Sequence, residues 1–194
     1  MLWITVIEWL ARLILLILGF LSIWSLSIII ERKRFFKNLV YNKEKYSVLI
    51  KENTIFKTTS VQAESNDLIE KMLNSLRQLK TSEKIEKGFD VFVMEIRQEL
   101  EKGLPVLGTL GSTSPFIGLL GTILGIIVSF GALSKGAADM NAVMLSLGEA
   151  LILTAVGLVV AIPAVIAFNF YSRKARQVVL DLSSVKDLYI AYKD

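Results

Sequence analysis

The sequence predicts an all-α polytopic membrane protein with three transmembrane helices and a cytoplasmic helical extension. Three observations carry that expectation. Hydrophobic residues make up 53% of the 194 and the mean hydropathy is +0.55, too high for an ordinary soluble domain. Three long stretches carry almost no charge, and basic clusters follow the first and third of them. With no cysteine and no histidine, the chain offers no disulfide, thiolate nucleophile, Cys/His zinc site, imidazole-ligated haem or Ser-His-Asp triad. No cofactor and no metal site is expected. A net charge of +4 does not point to nucleic acid, because the basic residues cluster beside apolar runs and face a lipid membrane instead.

Residues 1–37 hold the N-terminal segment and the first span. Leu13 to Ile30 is free of charge, interrupted only by Ser22, Ser25 and Ser27. At about 1.5 Å per residue it just crosses a hydrocarbon core of roughly 30 Å. Trp3 and Trp9 are expected in the outer interfacial belt. The segment does not read as a cleaved signal peptide: it lacks a basic n-region, its apolar run is too long and its positive cluster follows the run.

Residues 38–103 are expected to form a cytoplasmic helical region. Ser65-Asn66-Asp67 can cap a helix that places Leu68, Ile69, Met72, Leu73, Leu76 and Leu79 on one face. A second helix fits Ile85, Phe89, Phe92, Val93, Ile96 and Leu100, stopped by Gly103 and Pro105. The spacing predicts a helical hairpin extending the membrane helices inward. A separate catalytic domain has no motif to support it. Residues 41 to 63 have weak periodicity and read as a short helix plus loop.

Residues 104–172 hold the second and third spans. Leu104 to Ser134 is uncharged and longer than a bilayer is thick, and its Gly/Ser/Thr-rich first third, Leu104 to Pro115, is expected to project into water or a pore. Met140 to Ser172 carries one charge, Glu149. Residues 173–194 follow as a cytoplasmic tail. Glu31-Arg32-Lys33-Arg34 with Lys37, and Arg173-Lys174 with Arg176, put the N-terminus outside and the C-terminus inside. The loop holding Lys135 and Asp139 is neutral.

Three residues are candidates for chemistry. Glu149 is either a functional acid facing protein or water, or an interfacial acid that snorkels or pairs with Lys135. Thr122 and Thr154 either bond their own helix one turn back or together make a polar lining for water or protons. Gly118, Gly121 and Gly125 on one span, and Ala150, Gly157 and Ala161 on the next, form small-residue stripes that can seat a neighbouring helix. Those stripes are expected to find no large enough complement within one subunit, which argues for a homo-oligomer. Pro163 is expected to kink the third helix or free a carbonyl.

Gly118-Leu-Leu-Gly-Thr122-Ile-Leu-Gly125-Ile126, Glu149-Ala-Leu-Ile-Leu-Thr154-Ala-Val-Gly157-Leu158, Ala161-Ile-Pro163-Ala164 and Asn169 resemble the MotA/TolQ/ExbB proton-channel family. Ile30-Glu31-Arg32 with Phe36 is similar as well. The resemblance covers the first span and residues 104–176, and lies closer to ExbB and TolQ, since MotA-type subunits carry a fourth span. It implies a ring, usually a pentamer, around two copies of an ExbD- or TolR-like single-span partner whose membrane aspartate takes and releases the proton. It implies further that Thr122 and Thr154 are pore threonines, and that Glu149 is the acid of the third span. One departure bears on the subtype: about twelve residues precede the first span, so the periplasmic extension of the longer ExbB proteins is expected to be absent.

The expected function is a proton-channel stator subunit of the bacterial inner membrane, not an enzyme. Through a TonB- or TolA-like protein it would turn proton motive force into work for TonB-dependent outer-membrane transport or envelope maintenance. A membrane scaffold without ion flux is the alternative. An intramembrane enzyme would have only Ser, Thr, Lys and Glu to work with, and no serine–lysine pair shares a span.

Overall fold

The computed structural model describes residues 2–52, 67–134 and 139–193, and the side chains of these except residues 2–5 and 8. Ser65, Asn66, Lys135, the whole stretch from 53 to 63 and the side chain of Trp3 therefore lie outside the description. The chain is built of helices: α1 (Leu2–Asn38), α2 (Lys43–Lys51), α3 (Leu68–Arg77), α4 (Ser82–Glu101), α5 (Leu104–Leu133) and α6 (Met140–Lys193). Among the described residues the one extended pairing is a parallel bridge between Val40 and Asp67. Three helices, α1, α5 and α6, are long and apolar enough to cross a membrane. Their large apolar side chains point outward: Leu16, Phe116 and Val159 are each more than 65% exposed. An outward apolar surface of this extent suits lipid rather than water.

Local chemistry sets the element ends. Asn42 caps α2 by accepting from the Lys45 amide, and Asp67 caps α3 by accepting from the Ile69 amide at 2.9 Å, each satisfying an orphan donor of the first turn. Asp139 does the same for α6, accepting from the Ala142 amide at 2.7 Å. Gly103 takes φ +73° between α4 and α5, a left-handed conformation that a side chain would strain. Pro105 follows it in the first turn of α5, where its missing N–H costs nothing.

Leu104 to Pro115, the segment expected to project into water or a pore, forms the first turns of α5, with Leu104, Leu107, Leu110, Gly111 and Ser114 buried. Three of its hydroxyls bond their own backbone, Thr109 donating to Pro105 O at 3.0 Å, Ser112 to Thr109 O at 3.0 Å and Thr113 to Thr109 O at 2.8 Å, whereas the buried Ser114 Oγ has no hydrogen-bond partner among the described residues. A Ser/Thr-rich segment can therefore stay helical in an apolar setting. The helix of the third span continues past its basic cluster. α6 continues to Lys193, and Ala175, Val178, Leu182, Val185 and Tyr189 recur at three- and four-residue spacing, all buried. Pro115 and Pro163 both lie inside their helices without ending them.

The chain divides into two compact units, one of Met1–Glu31 with Gly103–Phe170, the other of Arg32–Lys102 with Tyr171–Asp194. In the second unit α3 turns Leu68, Ile69, Met72, Leu73 and Leu76 inward and α4 turns in Ile85, Phe89 and Leu100. Phe92, Val93 and Ile96 are half-buried. Polar ties hold this unit together. The Leu68 amide donates to Val40 O at 3.0 Å, and Arg32, itself buried, donates from Nη1 to Glu99 O at 2.8 Å. Lys43 pairs with Asp181 at 3.0 Å, to which Gln177 also donates. Phe36 stacks on Tyr171 with centroids 5.3 Å apart.

The buried Tyr46 hydroxyl donates to Glu70 Oε2 at 2.9 Å, joining α2 to α3. Burial first, then this hydrogen bond, raises the Tyr46 phenol well above its ordinary value. A folded state that holds the proton more tightly than the unfolded chain is favoured below the ordinary tyrosine value and loses that advantage as pH climbs through the folded one. Stability of this unit is expected to fall above about pH 10. Tyr46→Phe leaves Glu70 buried without its donor and should cost about 1–3 kcal/mol, while removing this alkaline loss. Thermal melts of detergent-purified protein from pH 7 to 11 check both.

Candidate functional site

The first unit is organised by a seam between α5 and α6 in which backbones touch. A Cβ added to Gly118 would lie 2.6 Å from Leu153 O and 3.0 Å from Thr154 Cα, and one on Gly157 would lie 2.6 Å from Ser114 O. Real Cβ atoms do not come that close to backbone, so hydrogen alone fits there. Above this crossing Gly121 lies against Leu153 and Gly125 against Ala150. Below it Gly111 lies against Val165, and Ala161 and Ala164 are buried. The two small-residue stripes are thus each other's complement within one chain. The expectation that they lack one is overturned, because Gly-on-Gly contact lets α5 and α6 of the same subunit fill the space. A stripe already occupied this way does not by itself call for a second copy.

Thr122 and Thr154 sit beside this seam. Thr122 is buried, and its hydroxyl donates to Leu119 O at 2.8 Å. Thr154 is half-buried next to Gly118. Its hydroxyl makes no bond to another described residue, which leaves a donor and an acceptor there. Pro163 is exposed on α6.

Glu149 stands apart from both threonines. At 3.6 residues per turn it lies roughly 140° round α6 from Thr154. It is exposed and lines an open groove of about 740 Å³ between α1 and the α5–α6 pair, which neither threonine lines. Trp9 and Arg12 stand on the α1 side, Gly121 and Gly125 on α5, and Ser146, Glu149 and Ala150 on α6. Trp9 is 71% exposed, with the Arg12 guanidinium 5.9 Å from its ring centroid.

Sequence reasoning missed two polar features. Ser129 donates to Gly125 O at 2.8 Å, and its oxygen lies 2.7 Å from that of Ser146. A hydroxyl has one proton, so Ser146 is the donor across the helices. Two serines in otherwise apolar spans were a visible signal, but their pairing depends on the register of α5 on α6. Arg12 is the other; its sign was a lone cation just ahead of the first uncharged run.

A family profile described as the MotA/TolQ/ExbB proton channel family matches residues 60–184. The biopolymer transport protein ExbB of Xanthomonas campestris pv. campestris is 48% identical over 99 residues, covering 49% of this chain and 38% of that protein. The Tol-Pal system protein TolQ of Pseudomonas aeruginosa is 42% identical over 98 residues, 50% of this chain and 42% of that protein. The ExbB of Neisseria gonorrhoeae is 31% identical over 169 residues, 79% of this chain and 76% of that protein. The chain thus spans less than half the length of the first two relatives.

The seam makes a sharp distinction between glycines. Gly118→Ala must push Leu153 O away and should destabilise the α5–α6 pair by about 1–3 kcal/mol. Gly148, with nothing within 4 Å of an added Cβ, should accept alanine without loss. Melting temperature and monodispersity of the two variants in the same detergent check the contrast.

Proposed function

Because the chain belongs to the MotA/TolQ/ExbB proton channel family, we propose that it is an ExbB/TolQ-like stator subunit working with an ExbD/TolR-like single-span partner. The single observation that carries this reading is the half-buried Thr154 hydroxyl, uncommitted beside a seam of otherwise inert small residues. Thr122 gives its proton to Leu119 O and keeps only its acceptor lone pairs for a neighbour, whereas Thr154 offers both donor and acceptor. In this reading Thr154 and Thr122 line the proton path beside the partner helix, and Glu149 is the charged member, acting from the other flank of α6. Gly118, Gly121, Gly125, Ala150, Gly157 and Ala161 hold the two helices in register, with Pro163 inside the second.

One elementary charge falling through 100 mV releases about 2.3 kcal/mol, enough to bias a rotation or a change of helix packing. A homo-oligomeric ring, of five subunits in the family's usual form, would surround the partner. The chain would reside in the bacterial inner membrane with its N-terminus periplasmic and C-terminus cytoplasmic. Through a TonB- or TolA-like protein the complex would energise outer-membrane transport or envelope maintenance, with no reaction catalysed by this subunit.

A scaffold without ion flux is the second reading, favoured by the self-bonded Thr122 hydroxyl. Dissipation of a pH gradient decides, in liposomes holding the protein with a single-span protein that carries a membrane aspartate. Thr154→Val should assemble like wild type but lose most flux, about tenfold or more for a hydroxyl at a transfer step, whereas Thr154→Ser should keep much of it. Wild-type flux from the valine variant would remove Thr154 from the path. For orientation, single cysteines at the exposed positions Lys84 and Asn141 of this cysteine-free chain should behave oppositely. An impermeant thiol reagent added to spheroplasts should label position 141 and not 84.

A further inference from the structure

Within the second unit, the stretch that follows the first span meets the stretch that follows the third. Phe36 of α1 stacks on Tyr171 of α6 with ring centroids 5.3 Å apart. The Lys174 ammonium lies 5.4 Å from the Phe36 ring centroid. At 3.6 residues per turn, Lys33 and Lys37 lie roughly 60° and 100° round α1 from Phe36, both on the same side of it. Lys33 and Lys37 are exposed and Lys174 is half-buried. Three lysines from two distant parts of the chain thus flank one pair of stacked rings.

Nothing in these stretches offsets their charge. Residues 32–38 and 171–180 hold no acid, and the next acid along α6, Asp181, already pairs with Lys43 at 3.0 Å. Among the described residues no carboxylate pairs with Lys33, Lys37 or Lys174. The ring contact holds the Lys174 ammonium in place without cancelling its charge. Lys33 and Lys37 stand four residues apart, a like-charge spacing that weakens a helix unless an anion comes to it.

Depth along the helices says which anion that is. Lys33 lies three residues past the uncharged run ending at Ile30, and Lys174 two past the run ending at Ser172. At 1.5 Å per residue these are about 4 Å and 3 Å, inside the roughly 5–8 Å that headgroups occupy beyond the hydrocarbon core. Lys37 stands one turn further on, a distance that its four-carbon stem spans.

We propose that Lys33, Lys37 and Lys174 form a binding site for the phosphate of an anionic phospholipid, in the leaflet where these two helices leave the membrane. The Phe36–Tyr171 stack fixes the spacing of the two helices, so the site is made by the fold and by neither basic cluster alone. Arg34 lies roughly 160° round α1 from Phe36, and Arg176 roughly 140° round α6 from Tyr171. These two arginines serve other flanks and stand outside the site. The inference needs only a membrane location and is independent of the proton-channel reading.

The test uses full-length protein in mild detergent, titrated with phosphatidylglycerol or with phosphatidylcholine, with bound lipid counted by native mass spectrometry. Wild type should hold phosphatidylglycerol about tenfold or more tightly than phosphatidylcholine. Lys37→Gln with Lys174→Gln should remove most of that preference. Arg34→Gln with Arg176→Gln takes the same charge from the same two stretches and should leave it intact. No preference in wild type overturns the proposal. Equal losses in the two double variants overturn it as well, because a diffuse basic belt counts charges and not their positions. Displacement of the lipid by excess glycerol 3-phosphate would assign the site to a soluble phosphate and overturn the lipid. Should the lysine double variant fail to insert, the single variants Lys174→Gln and Arg176→Gln carry the same contrast.

Discussion

Direct backbone contact between α5 and α6 is the constraint on which the membrane unit depends. With Gly118 and Gly157 facing each other, the two helices approach until carbonyl oxygens and Cα atoms are the contact surface. In hydrocarbon no hydrophobic force draws helices together, so close van der Waals packing has to do it, and only hydrogen side chains permit that approach. At the crossing itself small residues lie inside, while Phe116, Leu120 and Val159 lie outside. The register set at this crossing then brings Ser146 to Ser129 and Thr154 beside Gly118.

The same contact decides where polar groups end up. Thr109, Thr113 and Thr122 spend their protons on their own helix, which makes them compatible with lipid or packed protein. Thr154 and Glu149 do not, and they lie on different flanks of α6. The flank of Glu149 lines the groove shared with α1, which neither threonine lines.

The second unit is held differently. Its core is apolar, from α3, α4 and the distal part of α6, but its connections are polar and partly buried: Tyr46 to Glu70, Arg32 to Glu99 O, Lys43 to Asp181. A lost partner in such a place exposes a desolvated group and costs more than an exposed ion pair would. This unit is therefore the more sensitive of the two to pH, whereas the membrane unit answers to side-chain volume.

Much of this was legible from the residues themselves. Hydropathy marked three spans, since the cost of charge in lipid acts on each segment independently of its neighbours. The amphipathic faces of α3 and α4 and the Asp67 cap followed from local periodicity and side-chain chemistry. The motif around Gly118, Thr122, Glu149 and Thr154 carried the family. What the sequence did not carry was the pairing of faces. The stripes looked unpartnered because a stripe tells that a helix can be approached, not which helix approaches it. At the Gly/Ser/Thr-rich start of α5, composition could not say that Thr109, Ser112 and Thr113 bond backwards along their own helix while the buried Ser114 Oγ does not. Arg12 and Glu149, far apart in sequence, come to one groove only through the packing of α1 on α5 and α6. Charge, length and period are properties of a segment and are read from it; proximity is a property of the packed register and exists only once the chain has folded.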